Sequence, residues 1–224
     1  GHVFLRSKLI SGLDEVVVAT CDNEIYDYIS ELGGKVIMTS ASHERATDRT
    51  AEALTKIEEK YDIVAMIQGD EPLFSPQDVD EGLTKLLTNE EHNIVNLMFR
   101  ITTDEEFKSL NNVKVLVDKF SNALYFSREP VPSNWKGNHK ESLFQQTGLM
   151  IFRKLYLDKY LNLDPTPLEI IESCDMLRVL EHGDKVQMLE ISTKSVGVDV
   201  ESDIEIAEKL MKTDRIFNDF IKGC

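Results

Sequence analysis

Two acidic residues sit where strand-like runs end, and that placement could hold a metal ion against phosphates. Asp70 lies in Gln68-Gly69-Asp70-Glu71-Pro72, just after the apolar run that opens at Tyr61. A surface turn needs one glycine and one polar residue, whereas here Gln68 and two adjacent carboxylates come together. Asp70 therefore reads either as a solvated turn residue or as a metal ligand. Asp199, in Val196-Gly197-Val198-Asp199-Val200-Glu201, follows a second strand pattern near the far end of the chain. Its other reading is a helix N-cap, a common place for Asp. No His or Cys cluster accompanies either residue. An all-oxygen pair of this kind suits a hard cation such as Mg²⁺, held jointly with substrate phosphates.

Several basic residues could complete such a site. Arg128, in Tyr125-Phe126-Ser127-Arg128, follows another strand pattern, where its planar fork could grip a carboxylate or phosphate or could make a surface ion pair. Arg45 and Arg49 could reach phosphates, or could pair with Glu44 and Asp48. His43 reads as a polar loop residue, and Met176 and Leu177 as core. Trp135 and Lys136 lie in a long polar loop over 128–142 that could act as a lid.

The elements that must position these residues can be read from apolar runs and breakers. Strands are expected over 14–20, 35–39 and 62–68, with helices from Asp22 to about Leu32, over 48–60, and from Ser75-Pro76 onward. Asp22 is a plausible N-cap, and Gly33-Gly34 a stop. Continuous apolar strands alternating with helices point to crossovers and a mostly parallel sheet with helices on both faces. In such sheets ligands bind outside the carboxyl ends of the strands, where Asp70 and Asp199 fall. After residue 93 the rhythm turns β-rich: a strand from Asn93, a hairpin turning at 119–122, and a strand over 144–153. A single helix over 167–182, a strand from Lys185 and a final helix complete the chain. The first residues look like the middle of an amphipathic helix without an N-cap, so a preceding strand is expected upstream. The expected organisation is one domain over 1–224 with a β-rich insertion.

Composition limits the partners. The 224 residues carry a net charge of −15, which argues against a nucleic-acid surface, although a local basic pocket can still take a small anion. Cys21, Cys174 and Cys224 are far apart and odd in number, and read as reduced thiols. No run approaches the ~18 apolar residues of a membrane span, so no membrane insertion and a cytoplasmic location are expected.

The segments "DEVVVAT", "GGKVIMTSASHERATDR", "IQGDEP", "VKVLVD", "ALYFSR", "PTPLEIIE", "LRVLEHG" and "GVDVESDIE" occur in an order and spacing that resemble the 3-deoxy-manno-octulosonate cytidylyltransferases, CMP-sugar synthetases. The resemblance spans essentially the whole chain. It implies a Rossmann-like α/β nucleotidyltransferase fold and a homodimer formed partly through the β-rich insertion. CTP as donor, an acidic sugar as acceptor and Mg²⁺ as cofactor are also implied, for lipopolysaccharide or surface-polysaccharide synthesis. By position, Asp70 and Asp199 are implied as metal carboxylates, Gln68 as a substrate contact, and Arg128 as partner of the sugar's carboxylate. Arg45 and Arg49 fall in the nucleotide-side loop. The departures are specific. The family opens with a strand and a basic loop of the form R-x-x-S-x-R-L-P-G-K that this chain does not show. Arg45-Ala46 stands where Ser-Gly is usual, and Cys21 where Asp is common. Four acceptor positions, a His and a Tyr on one strand and Glu-Gln on the next helix, correspond here to Gln146, Met150, Asp175 and Met176. A cytidylyltransferase for a different small acidic acceptor, or a non-catalytic binding protein on the same fold, are the alternatives.

Overall fold

Caps, stops and close contacts decide where each element begins and ends. The computed structural model describes all residues except 134, 137–142, 195, 196, 199 and 222–224. Two compact units emerge from discontinuous stretches: 1–61, 66–81 and 195–224 form the first, 62–65 and 82–194 the second.

In the first unit, helix α1 (His2–Ser7) precedes strand β1 (Val17–Thr20), helix α2 (Asn23–Glu31), strand β2 (Lys35–Met38) and helix α3 (Ala46–Thr55). The Asp22 carboxylate starts α2 by accepting from the N–H groups of Glu24 and Ile25 at 2.7 and 3.4 Å, which satisfies donors that a helix start leaves unpaired. Gly33, at φ +69°, ends it. At Gly34 a Cβ would lie 2.7 Å from both Ile29 Cγ2 and Phe4 Cζ, so only glycine lets α1 approach the end of α2. β1 and β2 pair in parallel, Val17 opposite Lys35 through Thr20 opposite Met38. Helix α9 (Glu201–Met211) and a π-helical turn (Phe217–Ile221) also belong here. Buried Arg6 donates to the Phe74 carbonyl at 2.9 Å and pairs with Asp214, tying the chain's two ends to the segment after strand β3 (Ile63–Ile67).

The second unit is built on a sheet. Strands β4 (Ile94–Arg100), β5 (Lys114–Val117), β6 (Ala123–Ser127), β7 (Phe144–Arg153) and β8 (Gln187–Glu190) lie in the order β6-β5-β7-β4-β8, and β3 pairs with β7. β4 and β8 are parallel, whereas β7 runs antiparallel to β4 and β5. The sheet is thus mixed. Its antiparallel pairs come from the chain reversals of the β-rich stretch, which need no helical crossover. The β5–β6 turn is set by the Asp118 carboxylate, which accepts from the N–H groups of Phe120 and Asn122, each at 2.8 Å. Helix α4 (Pro76–Leu87) lies close on this sheet, since a Cβ at Gly82 would be 2.4 Å from Ile151 Cδ1.

The expected helix over 167–182 is instead two helices, α7 (Pro167–Glu172) and α8 (Asp175–Glu181). Ser173 between them takes the left-handed conformation at φ +50° and ψ +54°, which a continuous helix cannot hold. Two short helices had no clear sequence signal. α5 (Asp104–Lys108) is too short to show a period, and α6 (Lys154–Tyr160) follows β7 with no breaker between them. No helix among the described residues is long and apolar enough to cross a membrane.

Candidate active site

In the first unit, the chemistry gathers on the loop after β3. Gln68 turns the chain, its carbonyl accepting the Glu71 N–H at 3.3 Å. Gly69 is exposed and has no left-handed φ, and a Cβ there would meet nothing within 4 Å. Folding therefore does not require glycine at that position. Its missing side chain leaves room beside Asp70 for a ligand to approach the backbone. The Asp70 carbonyl accepts the Val198 N–H at 2.8 Å, so the segment that leads to position 199 is pinned to the Asp70 loop. Asp199 itself lies outside the described residues. Helix α9 takes Val200 as its N-cap residue, and the Asp203 carboxylate reaches back to the Val200 N–H at 3.0 Å. The helix thus takes Val200, and not Asp199, as its N-cap residue, the position that the alternative reading gave to Asp199. No group of three metal-ligating side chains occurs among the described residues. Asp70 and Asp199 offer only oxygen, a donor set that fits a cation sharing its coordination with phosphates.

The loop between β2 and α3 is fixed from α3. Arg49 donates to Thr39 Oγ1 at 2.6 Å and to the carbonyls of Ser40 and His43 at 3.2 and 3.3 Å. These bonds take the place of the ion pairs to Glu44 or Asp48 that its sequence position allowed. Glu52 accepts from Lys56 at 2.6 Å, from the Ser40 N–H at 3.0 Å and from His43. The Lys56 bond, with those from Ser40 and His43, lowers its carboxyl to about 2. Arg45 occupies the N-cap position of α3 and is half-buried.

In the second unit, a different set assembles. The Arg128 guanidinium donates to the carbonyls of Glu172 and Leu110 at 2.8 and 3.0 Å, and to those of Asn111 and Ser173 at 3.4 Å each. Among the described residues, one of its five N–H groups, on Nη2, has no bond. A carboxylate would meet Arg128 at Nη2, where the long Ser173 contact is the easiest to give up. Lys114, fully buried on β5, donates to the carbonyls of Ser109 and Asn112 at 2.7 and 2.8 Å and to that of Arg128. Desolvation lowers the pKa of its ammonium. Burial works to raise the Glu172 carboxyl, yet bonds from the Arg128 N–H at 2.8 Å, Ser127 at 3.0 Å and Tyr125 at 3.1 Å outweigh it and hold the group below its ordinary value.

Gln146 and Met150 flank a bulge in β7. Asn96 on β4 faces Met150 and Met98 faces Gln146, so two steps on β4 oppose four on β7. Fully buried Asn96 fills the gap, its amide donating to the carbonyls of Thr147 and Leu149 at 3.1 and 3.0 Å. A bulge there re-aims the side chains on either side. Cys174 Sγ donates to Gln146 Oε1 at 3.2 Å, which brings the start of α8, and so Asp175, to β7. Asp175 is half-buried, while Met150 is 3% and Met176 0% exposed. Both methionines belong to the core as much as to any site wall. Arg178 pairs with Glu169 at 2.6 Å with both side chains buried, and its guanidinium stacks 4.4 Å over the Tyr160 ring. That pair holds α7 to α8 across the Ser173 kink.

Sequence reasoning passed over Asn96 and Lys114, and read Cys174 only as a reduced thiol. The one available signal was a polar residue inside an apolar strand run, as in Ile94-Val95-Asn96-Leu97 and Val113-Lys114-Val115.

A helix-flanked mixed sheet with a carboxylate loop at the carboxyl end of a strand defines a nucleotidyltransferase of α/β class. A family model described as "Cytidylyltransferase" matches residues 1–191. The chain is 37% identical over 222 residues to a 3-deoxy-manno-octulosonate cytidylyltransferase of Geobacter metallireducens, covering 94% of this chain and 87% of the relative. It is 39% identical over 223 residues to a protein of the same name from Thermodesulfovibrio yellowstonii, covering 95% and 87%. A solved CMP:2-keto-3-deoxy-manno-octonic acid synthetase complexed with CTP superposes with a TM-score of 0.85 at 32% identity, covering 95% of this chain and 86% of that one. The chain belongs to the cytidylyltransferase family, with the 3-deoxy-manno-octulosonate cytidylyltransferases among its relatives.

Proposed function

We infer that this enzyme transfers a cytidylyl group from CTP to a carboxylated sugar, 3-deoxy-manno-octulosonate or a related acid, and releases pyrophosphate. The observation that carries the reading is the intact Gln68–Glu71 loop, with Gly69 open and the Asp70 carbonyl bound by Val198. The relatives' names and the CTP-bound structure supply the donor and the acceptor class.

In the reaction, an acceptor hydroxyl attacks the α-phosphorus in line. The new O–P bond forms as the α–β bridging P–O bond breaks, pyrophosphate takes the electron pair of that bond, and the hydroxyl proton passes to solvent. Asp70 and Asp199 would hold Mg²⁺, which neutralises phosphate charge and polarises the phosphoryl oxygens. The chain's own work is positioning. The Arg45–Arg49 loop serves the nucleotide side, and Gln68 contacts the substrate. Arg128, through Nη2, meets the acceptor's carboxylate, and Gln146 and Asp175 read its polar groups. Homodimer formation through the β-rich region is supported by exposed Phe120 and Leu124 on the β5–β6 hairpin. A cytoplasmic location goes with soluble substrates of this kind.

A different small acidic acceptor is a second reading. It is favoured by Met150 and Met176, which stand where the family pattern has hydrogen-bonding residues and which are buried here. Pyrophosphate release, measured with CTP and a panel of 3-deoxy-2-keto acids, with Mg²⁺ or with EDTA, tests the assignment. Release that needs CTP, an acid and the metal is the expected result; no release with any acid would return the protein to a binding role.

A further inference from the structure

Among the described residues the Gln146 side chain takes one hydrogen bond, and it comes from a thiol. Cys174 Sγ lies 3.2 Å from Gln146 Oε1, and Cys174 is 4% exposed. A carboxamide has one face of each kind: oxygen accepts and nitrogen donates. Which face points outward is therefore decided by what holds the other. Desolvation, with Asp175 beside it, raises the Cys174 thiol to about 12, so near neutral pH the group is S–H and donates. Gln146 Oε1 is thereby turned inward. Among the described residues Nε2 has no protein partner, and Gln146 is half-buried, so its two N–H donors are available to a ligand.

We propose that Cys174 is a positioning residue that fixes the Gln146 amide with Nε2 toward the acceptor. The acceptor must then offer a hydrogen-bond-accepting oxygen at that point, such as a carboxylate, ring or carbonyl oxygen. A hydroxyl is read there only through its lone pairs. This rests on the cytidylyltransferase reading and deepens it by naming which atom type the β7 position selects. The context is suited to such a role. The β7 bulge, stapled by Asn96, sets the backbone of Gln146, and the Arg178–Glu169 pair sets the start of α8 that carries Cys174. With the backbone of Gln146 and the start of α8 held, the Cys174 contact to Oε1 selects the amide's orientation. An inverted amide would place oxygen against an acceptor oxygen and lose a bond while adding repulsion.

Two substitutions of the full-length chain separate this role from simple packing. Cys174→Ser keeps a hydrogen donor facing Oε1, and Cys174→Val keeps the apolar volume but removes the donor. In initial-rate kinetics with CTP and 3-deoxy-manno-octulosonate, Cys174→Val should raise KM for the acid by about threefold to tenfold, the usual weight of one hydrogen bond. KM for CTP should stay unchanged, and Cys174→Ser should behave as wild type. Equal acid KM in the valine variant and wild type would overturn the proposal, as would a parallel rise in KM for CTP. A second readout does not depend on turnover. In protein labelled with ¹⁵N-glutamine, the Gln146 side-chain amide pair should move in the valine variant and stay in place in the serine variant. An unmoved pair in both would also overturn it. Wild type that releases no pyrophosphate with any acid would instead contradict the enzyme reading, while the amide resonances still decide the part played by the thiol.

Discussion

Around Asp70 the reactive side chain sits on a loop held through backbone atoms, whereas around Gln146 it sits among buried side chains that hold one another. The Val198 N–H grips the Asp70 carbonyl, Arg6 grips the Phe74 carbonyl, and Arg49 grips the carbonyls of Ser40 and His43. In the second unit, by contrast, Lys114, Asn96, Cys174 and the Arg178–Glu169 pair are all buried and each fixes a named neighbour. The difference teaches where mutation should separate activity from stability. A loop carboxylate contributes charge to a ligand and little to packing. A buried polar network is strongly coupled to folding, because removing one member strands its partner away from water.

The largest expected effect is on catalysis alone. Asp70→Asn removes one charge from the proposed cation site, and turnover at saturating substrates should fall about a thousandfold, several kcal/mol in the barrier. The unfolding midpoint should be unchanged. Near-normal turnover would return Asp70 to a solvated turn. Next comes stability alone. Arg178→Met takes the guanidinium from the buried Glu169 carboxylate and should cost about 3–5 kcal/mol in a denaturant titration. A loss below about 1 kcal/mol would mean that the pair behaves like a surface ion pair. Lys114→Met falls between the two. It removes the donor to three carbonyls, of which that of Ser109 keeps the Asn112 N–H while those of Asn112 and Arg128 lose the ammonium, and should cost about 2–4 kcal/mol. It should also raise KM for the acid and not for CTP, which tests whether Arg128 serves the acceptor.

The remaining effect is nil near neutral pH and appears only above about pH 9. The Cys174 thiol is raised above its ordinary value of 9.0 to about 12 by burial, with Asp175 adding to it. Its neutral form is the one the fold favours, so its contribution is complete below about pH 9 and is lost as pH rises through about 12. Against Cys174→Ser, which does not titrate there, the wild-type advantage should shrink by roughly 1.4 kcal/mol per pH unit across that window. A constant difference up to pH 11 would place the thiol in a wetter setting. Exposed Cys21 should be alkylated in the native protein while Cys174 is protected, as peptide mass mapping can show.

The same contrast explains what could be read in advance. Gln68-Gly69-Asp70-Glu71-Pro72 is contiguous, so its excess of acid over the needs of a turn was visible in the chain. Asp22, Gly33 and Pro76 marked helix ends for local reasons, and the structure places helix boundaries at each. The acceptor cluster was visible only by resemblance, since Gln146 meets Cys174 across 28 residues and Arg128 meets Glu172 across 44. No periodicity encodes such meetings. The break at Ser173 was also hidden, because serine carries no strong signal for the left-handed conformation that glycine or asparagine would have announced. The bulge in β7 escaped for the same kind of reason: Asn96, which fills it, is a neighbour in space and not in sequence.

The division of labour between the two regions is tested most directly by a matrix of initial rates, CTP against acid, for Gln146→Leu. The leucine fills similar volume and removes both the accepting and the donating group. The account predicts KM for the acid raised about tenfold or more, as expected when a hydrogen-bonding site loses its polar group, with KM for CTP within about twofold of wild type. A rise in KM for CTP equal to that for the acid would contradict it, and so would an unchanged KM for the acid.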